Sequence, residues 1–515
     1  MNFNDNMELF AFDLDMLLRK VRIALATVFF VGMTLLLLDF TGTLHPYFGW
    51  MAKIQLLPAV LALNVGIVVG LILLTLLCGR IYCSVICPLG IMQDIIAWCG
   101  LKAHRNRYTY SKALNGLRYM IIIVLIAAMV AGIGSIVALL APYSNFGRIV
   151  SNVLQPFYLL GNNLLAVIVQ RIGSDAFDMQ TVWLRSLPTF LIAVGMLMLL
   201  FVLAWRGGRT YCNTICPVGT VLGLLSRWSW LRVQIDADTC SHCGLCSKNC
   251  KASCINVKTS RIDYSRCVAC GNCLSRCKCD AIHYGVYKRH KHHVTAKHSV
   301  MSDRPIDSSR RNFLIAGSLA IAGASMAQQH QKIDDGLAVI EDKVAPKRQT
   351  PIMPPGSLSA RHMKRHCTGC QLCVVGCPNQ VLRPSTDLLT LMQPVMNYER
   401  GYCRMQCTRC SQVCPTGAIK PISRAEKSSI KIGHAVWVKQ NCVVLTDGVE
   451  CGNCAHHCPT AAISMVPIDG ANAVSLRVPV VNEAYCVGCG ACENSCPAHP
   501  FTAIYVEGHE AHQYI

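Results

Sequence analysis

Ser308-Ser309-Arg310-Arg311-Asn312-Phe313-Leu314, followed by a weakly apolar run to Ala324 and the small residues Ser325-Met326-Ala327, lies in the interior of a chain of 515 residues. Ser309–Leu314 matches the S-R-R-x-F-L pattern of a twin-arginine export signal, and Ser325-Met326-Ala327 offers a cleavage site. Such signals ordinarily stand at an N-terminus. The twin-arginine translocase carries folded domains with their cofactors already in place. On this reading everything before Arg310 stays in the membrane or cytoplasm, and everything after Ala327 lies outside. As a helix Phe313–Ala327 would span about 22 Å, short of the roughly 30 Å hydrocarbon core. The stretch therefore reads as a signal first and a fifth membrane segment second; the bland alternative is a chance basic pair before a short core helix.

Composition supports the division. A hydrophobic fraction of 52% exceeds that of soluble domains, and the mean hydropathy of +0.37 points the same way, to membrane spans. The net charge of +20 would suit nucleic acid, but no aromatic-interleaved basic platform accompanies it. Cytoplasmic loops of membrane proteins collect Lys and Arg, which accounts for the charge without a nucleic-acid partner. Most of the 32 cysteines fall in tight groups of four, the spacing of metal or cluster sites rather than of a disulfide framework.

Four apolar runs, Val21–Phe40, Leu56–Cys78, Leu117–Leu140 and Leu187–Trp205, alternate with basic flanks in the order expected if both ends are cytoplasmic. Ile149–Val169 is polar-interrupted and reads as an external interfacial helix. At the cytoplasmic ends of the second and fourth runs, Gly79-Arg80-Ile81-Tyr82-Cys83…Cys87-Pro88 recurs as Gly208-Arg209-Thr210-Tyr211-Cys212…Cys216-Pro217. The expected fold is thus an α-helical membrane bundle over residues 1–235, four spans in two pseudo-symmetric hairpins, joined to α+β ferredoxin-like domains. Cys83, Cys87, Cys212 and Cys216 could hold a further cluster or act as two dithiol pairs; they could also simply pack as small apolar residues. Asp39, His45, Tyr143 and Arg148 stand at external span ends. If a quinol is oxidised there, Asp39 and His45 are placed to take its protons, interfacial anchoring being the alternative.

Residues 236–287 carry two ferredoxin runs, Cys240, Cys243, Cys246, Cys250 and Cys267, Cys270, Cys273, Cys277. In such pairs the fourth cysteine serves the other cluster, so the expected sets are Cys240/243/246/277 and Cys267/270/273/250. Lys251 and Lys278 replace the usual proline, and Cys254 and Cys279 are extra, which leaves the fourth ligands open. Structural zinc is the alternative, at a spacing unusually tight for it. Lys288-Arg289-His290-Lys291-His292-His293, in the linker 288–307, reads as a solvated flank, with metal binding the alternative. A polar linker, 328–360, leads into 361–515, where four more groups stand: Cys367, Cys370, Cys373, Cys377; Cys403, Cys407, Cys410, Cys414; Cys442, Cys451, Cys454, Cys458; and Cys486, Cys489, Cys492, Cys496. Spacing does not settle how they pair; first with fourth and second with third is the preferred arrangement. Six [4Fe–4S] clusters are expected in all, with a seventh open at the Cys-x3-Cys-Pro pairs. No Cys-x-x-Cys-His and no nucleotide fingerprint occur, so neither covalent haem nor NADH is expected; Gly132-Ile133-Gly134 reads as helix packing.

This order of parts resembles a NapH-type membrane protein (residues 1–290) fused to a NapG-type ferredoxin (residues 308–515), within the wider NapH/NosR/MauN membrane-ferredoxin group. The matching features are the pairs Cys83/Cys87 and Cys212/Cys216, the segment Tyr143-Ser144…Phe146-Gly147-Arg148, and the cysteine runs. The resemblance implies a quinol dehydrogenase of the bacterial inner membrane, taking electrons from menaquinol or ubiquinol to a periplasmic reductase or cytochrome. Two rival functions follow from the same parts: an outward electron bridge from a cytoplasmic donor, and a factor that reduces another metalloenzyme during assembly or reactivation.

Overall fold

The structure, a computed structural model, describes residues 3–103, 108–172, 178–286, 343–469 and 475–515, with backbone alone over 3–16. The chain divides into two units, Met1–Tyr287 with Val344–Ile515, and Lys288–Lys343. The twin-arginine stretch and the histidine-rich linker lie outside the described residues.

The N-terminal half is helical. α1 (Phe3–Leu38) is followed by α2 (His45–Lys53), α3 (Leu56–Leu61), α4 (Val65–Cys78), α5 (Ile81–Val85) and α6 (Pro88–Lys102). Next come α7 (Asn115–Ala131), α8 (Gly134–Leu140) and α9 (Pro142–Ile149), then a π turn, Val150–Leu154, and α10 (Gln155–Arg171). α11 (Leu187–Gly207), α12 (Thr210–Thr214) and α13 (Pro217–Leu225) complete the bundle. By length and composition three stretches can cross a bilayer: Leu17–Leu38, Pro142–Arg171 and Leu187–Gly207.

This differs from the four expected runs in two ways. The run Leu56–Cys78 is broken where Leu63 takes a φ of 54° and Asn64 caps α4 by accepting the Ile67 N–H. The run Leu117–Leu140 is broken at Gly132, whose φ of 73° ends α7. α4 and α7 are therefore shorter apolar helices. Ile149–Val169, expected as an external interfacial helix, belongs to a continuous helical stretch from Pro142 to Arg171 that is long and apolar enough to cross a bilayer.

Two cysteine-rich modules cap opposite ends of the bundle. At one end Arg19 donates to Ser275 Oγ (2.7 Å), Tyr284 Oη to Cys78 O (3.1 Å), and Arg118 Nη1 to Ser265 Oγ (3.1 Å). The Arg209 N–H meets Lys251 O at 2.9 Å. At the other end Gly42 packs on Arg409, Gly134 on Gln393, and Trp183 Nε1 donates to Gln380 Oε1 at 2.7 Å. α1, α4, α7–α8 and α11 thus connect the modules. Each module is built from two-stranded antiparallel sheets. In the first, β1 (Leu231–Ile235) and β4 (Ile282–Val286) pair around the small ladder of β2 (Ile255–Asn256) and β3 (Arg261–Ile262). In the second, β5 (Leu382–Pro384) pairs with β6 (Pro394–Met396), β7 (Ile430–Trp437) with β10 (Ile504–Tyr514), and β8 (Ile463–Pro467) with β9 (Arg477–Val481).

One carboxylate ties the first module to the bundle. Asp94 on α6 accepts from Arg209 Nε (2.7 Å) and Nη2 (2.8 Å), with Lys251 Nζ at 3.2 Å and Arg22 Nη1 at 3.8 Å. Lys251 stands where ferredoxin runs usually carry proline, and this ion pair gives the substitution its reason. Burial alone would raise the Asp94 pKa, but the Arg209, Lys251 and Arg22 cations overcome it and hold the carboxyl well below the usual range. A folded-state pKa below the unfolded one means that the network stabilises at every pH above about 3.9 and is lost only as acid approaches the folded value. Asp94→Asn leaves two buried cations without their counter-charge, at an expected cost of about 3–5 kcal/mol. Thermal unfolding of detergent-solubilised protein checks this, with a parallel loss of iron from the first module; an unchanged transition would contradict it.

Candidate functional site: thiol sets arranged in a line

The two GRxYC repeats fold alike. In each, proline after the second cysteine begins a helix, α6 at Pro88 and α13 at Pro217, with Cys87 and Cys216 as the caps. Cys216 Sγ accepts the Gly219 N–H at 3.3 Å. The arginines cross over: Arg80 donates to Cys212 O (3.3 Å) and Asn213 Oδ1 (2.9 Å), while Arg209 donates to Cys83 O (2.6 Å). Cys83, Cys87, Cys212 and Cys216 are 3–4% exposed and lie within electrostatic reach of one another, and Cys83, Cys87 and Cys216 share one core. Gln93 Nε2 donates to Cys212 Sγ (3.1 Å) and Arg80 Nη2 to Cys83 Sγ (3.8 Å). Arg209 has its counter-charge in Asp94, while the equally buried Arg80 guanidinium donates to the Asn213 and Ser265 oxygens and to Cys83 Sγ; an anionic cluster would compensate that charge where apolar packing would not.

In the first module Cys240, Cys243, Cys246 and Cys277 line one cavity, and Cys250, Cys267, Cys270 and Cys273 a second. These are the sets anticipated from the spacing. Cys254 also enters the second cavity, with its sulfur 3.5 Å from that of Cys250, and Cys279 lies beside the first, 3.2 Å from Ser241 Oγ.

The second module corrects the preferred pairing. Cys377 joins Cys403, Cys407 and Cys410 around one cavity, and Cys496 joins Cys442, Cys451 and Cys454 around another. Cys414 faces Cys367, Cys370 and Cys373, and Cys458 faces Cys486, Cys489 and Cys492. The first motif therefore exchanges its fourth cysteine with the second, and the third with the fourth, as in other ferredoxin pairs. Burial pushes the Cys370 and Cys489 thiols up to about 12, with neighbouring thiols adding to the effect. Four thiolates in such a place need bound positive charge, and the donor sets fit [4Fe–4S] clusters.

The sets follow one another in space. Arg80 links the bundle thiols to the first module by donating to Ser265 O (3.0 Å), two residues before Cys267. On the opposite side Tyr211 Oη accepts from Asn145 (3.2 Å), Arg148 donates to Asn145, and α9 lies against the Cys370 loop. A single core runs from Cys83, Cys87 and Cys216 through Tyr143 and Phe146 to Cys370 and Cys373, with Cys270 packed at one end and Cys403 at the other. The Cys403 N–H then meets Cys489 O at 2.9 Å.

The four residues singled out at external span ends fall in two places, Asp39 and His45 at the turn between α1 and α2, and Tyr143 and Arg148 on α9. Asp39 closes the turn after α1, accepting from Thr41 Oγ1 (2.8 Å), Gly42 N (2.6 Å) and Leu44 N (2.9 Å). His45 begins α2, where burial lowers its pKa against the partial support of a Gln412 hydrogen bond. Tyr143 and Arg148 are 1% exposed and sealed beneath the Cys370 loop. An open cleft of about 700 Å³, its mouth included, lies nearby between Phe40, Gln155, Trp183, Arg185 and the Cys377-Pro378 pair. The Gln155 Nε2 and Arg185 Nη1 atoms have no hydrogen-bond partner there. Sequence reasoning missed both; the available signal was an arginine two residues ahead of an apolar run.

Fold and thiol sets together define an iron–sulfur electron-transfer protein. A model described as a 4Fe-4S binding domain matches residues 61–106 and 188–235, around the two GRxYC repeats, and a 4Fe-4S dicluster model matches 366–418 and 449–499. The chain belongs to the ferredoxin-type protein family that includes NapF and MauM. It is 32% identical to the ferredoxin-type protein NapF of Escherichia coli K12 over 164 residues, 32% of this chain and 90% of NapF. Identity to the methylamine utilization ferredoxin-type protein MauM of Methylobacillus flagellatus is 32% over 158 residues, 30% of this chain and 66% of MauM. With the putative electron transport protein YccM of Escherichia coli K12 it is 26% over 201 residues, 38% of this chain and 47% of YccM. The chain thus spans about two-thirds of that MauM and about half of YccM. No solved structure matches it.

The seat of the second module on α9 depends on Gly147, where a Cβ would stand 2.5 Å from Cys370 O. Gly147→Val is expected to lift the Cys370 loop off the bundle while sparing the first module. Limited proteolysis should then release the 344–515 module more readily, with the 240–277 clusters intact; an unaltered digestion pattern would refute the contact.

Proposed function

We propose that this chain is a membrane electron conduit, in which the Cys83/87/212/216 set holds a seventh cluster joining a cytoplasmic ferredoxin module to an exported one. The observation that carries this reading is the continuous core from Cys270 through the bundle thiols to Cys370 and Cys403. A [4Fe–4S] cluster, when bound, takes up and gives back one electron at a time. The chain's own residues hold the thiolates, keep water from the bundle set, and offset its charge with Arg80 and Arg209. The reciprocal arginines fit two pseudo-symmetric hairpins. Ser309–Leu314 would hand the second module to the twin-arginine translocase, placing its clusters before a periplasmic reductase or cytochrome. This is the arrangement of a NapH-like and a NapG-like part in one chain.

A second reading rests on the cleft beside Cys377. A mixed polar and apolar cleft in which Gln155 Nε2 and Arg185 Nη1 lack partners suits a quinol headgroup, and its electrons would enter the second module directly. The first module would then lie off the main route.

The two readings separate in the Cys83→Ser/Cys216→Ser variant, studied anaerobically by electron paramagnetic resonance. In the conduit, a reduced low-potential ferredoxin fills every cluster of the parent protein but only the 240–277 clusters of the variant. If a menaquinol analogue fills the 367–496 clusters equally in parent and variant, quinol is the donor and the conduit reading falls.

A further inference from the structure

Lys427 is 5% exposed, and all three of its donors are used within one cluster-binding loop. Its ammonium donates to Cys403 Sγ at 3.2 Å, to Arg404 O at 2.6 Å, and to Cys407 O. Cys403 is one of the four thiols, with Cys377, Cys407 and Cys410, that line a single cavity. The cation comes from the helix Arg424–Ser429, which leads directly into β7. A capping box fixes that helix: Ser423 Oγ accepts the Glu426 N–H (3.1 Å), and Glu426 Oε2 accepts the Ser423 N–H (2.6 Å).

The loop is shaped for this guest. Cys403 and Cys407 are separated by three residues, Arg404-Met405-Gln406, where the first and fourth motifs of the module have two. The carbonyls that receive Lys427 belong to Arg404 and Cys407, at the two ends of that longer gap. The irregular spacing thus has a structural reason: the loop wraps an ammonium. Among the described residues, the other sets of the module receive different donors at sulfur. The Cys367 sulfur is met by Gly369 N–H (3.4 Å), Cys414 by Ile419 N–H (3.4 Å), Cys458 by Ala462 N–H (3.3 Å) and Cys496 by Ala503 N–H (3.3 Å). These are neutral donors, whereas Lys427 brings a full positive charge.

We propose that Lys427 sets the reduction potential of the centre held by Cys377, Cys403, Cys407 and Cys410, making that centre easier to reduce than it would be without the cation. Taking up an electron adds one negative charge with no bond made or broken. A buried positive charge in contact with a ligand sulfur stabilises the reduced form more than the oxidised form, and its hydrogen bond acts in the same direction. Burial limits screening by salt, so the effect persists at physiological ionic strength. Lys427 is a tuning residue rather than a ligand. The proposal rests on the cluster assignment and on neither reading of the electron donor.

The test is equilibrium redox titration of the anaerobic, fully loaded chain with chemical mediators, followed by electron paramagnetic resonance. It needs no natural donor or acceptor, so failure of either functional reading leaves it unaffected. Lys427→Met and Lys427→Gln are expected to retain all iron and sulfide and to lower the midpoint of one centre alone. The centre is identified by the signal that Cys407→Ser perturbs. Lys427→Arg should keep the parent midpoint closely. Full iron content with unmoved midpoints overturns the proposal. So does loss of four irons in both the Met and Gln variants with retention in Arg, which would make Lys427 a clamp for the loop instead.

Discussion

The crossing of Arg80 and Arg209 between the two repeats is the interaction on which the rest of the molecule depends. Each guanidinium leaves its own GRxYC segment and caps the carbonyl of the first cysteine in the other. A short helix that ends two residues before a cysteine, followed by one that starts at proline, leaves carbonyls without intrahelical partners. Here the opposite repeat supplies the missing donor, so neither half is complete alone. The same two arginines extend outward, Arg80 to Ser265 O and Arg209 to Asp94, so the crossing that closes the bundle also seats the first module.

Contacts at the other end are close packing, neutral hydrogen bonds and the stacking of Arg383 and Arg400 over Trp183. Gly147 lies against the Cys370 carbonyl, and Ser151 and Asn152 both donate to Gln371 Oε1, at 3.0 and 2.9 Å. A module held by shape and neutral hydrogen bonds can dock as a finished body, since among the described residues no buried ion pair must be assembled across the joint.

Local chemistry was easily read from the sequence, while long-range placement was not. The ferredoxin spacing identified Cys240/243/246/277 and Cys250/267/270/273, because the exchange of fourth cysteines is a property of the motif itself. The four bundle thiols were legible through the repeat. The interruptions near Asn64 and at Gly132 were not, since each lies within an apolar run whose hydropathy hides a change of backbone hand. Pairing in the second module was misread because sequence distance says nothing of which loops face each other; adjacent motifs proved to be partners. Tyr143 and Arg148 were conspicuous as polar residues at a span end, but their burial comes from a module more than two hundred residues away. The proline-to-lysine change at Lys251 was visible as an oddity, and only Asp94 explains it.

Charge compensation follows burial along the line of thiols. Where water is excluded a cluster must find its counter-charge in the protein, and the closed bundle set has two arginines at 0% exposure. Arg148, itself buried, lies within electrostatic reach of Cys370, and Lys251 and Arg22 of Cys270. The Cys240/243/246/277 set is the contrasting case. Cys243 is exposed there, and the nearby Lys278 is exposed as well, so solvent can do what buried cations do elsewhere. Part of the excess of Lys and Arg in this chain is therefore structural, spent on thiolates rather than on an outside partner. Charge of this kind is fixed by folding, so a cation enclosed beside a cluster acts on its potential together with the hydrogen bonds to sulfur and the exposure to solvent.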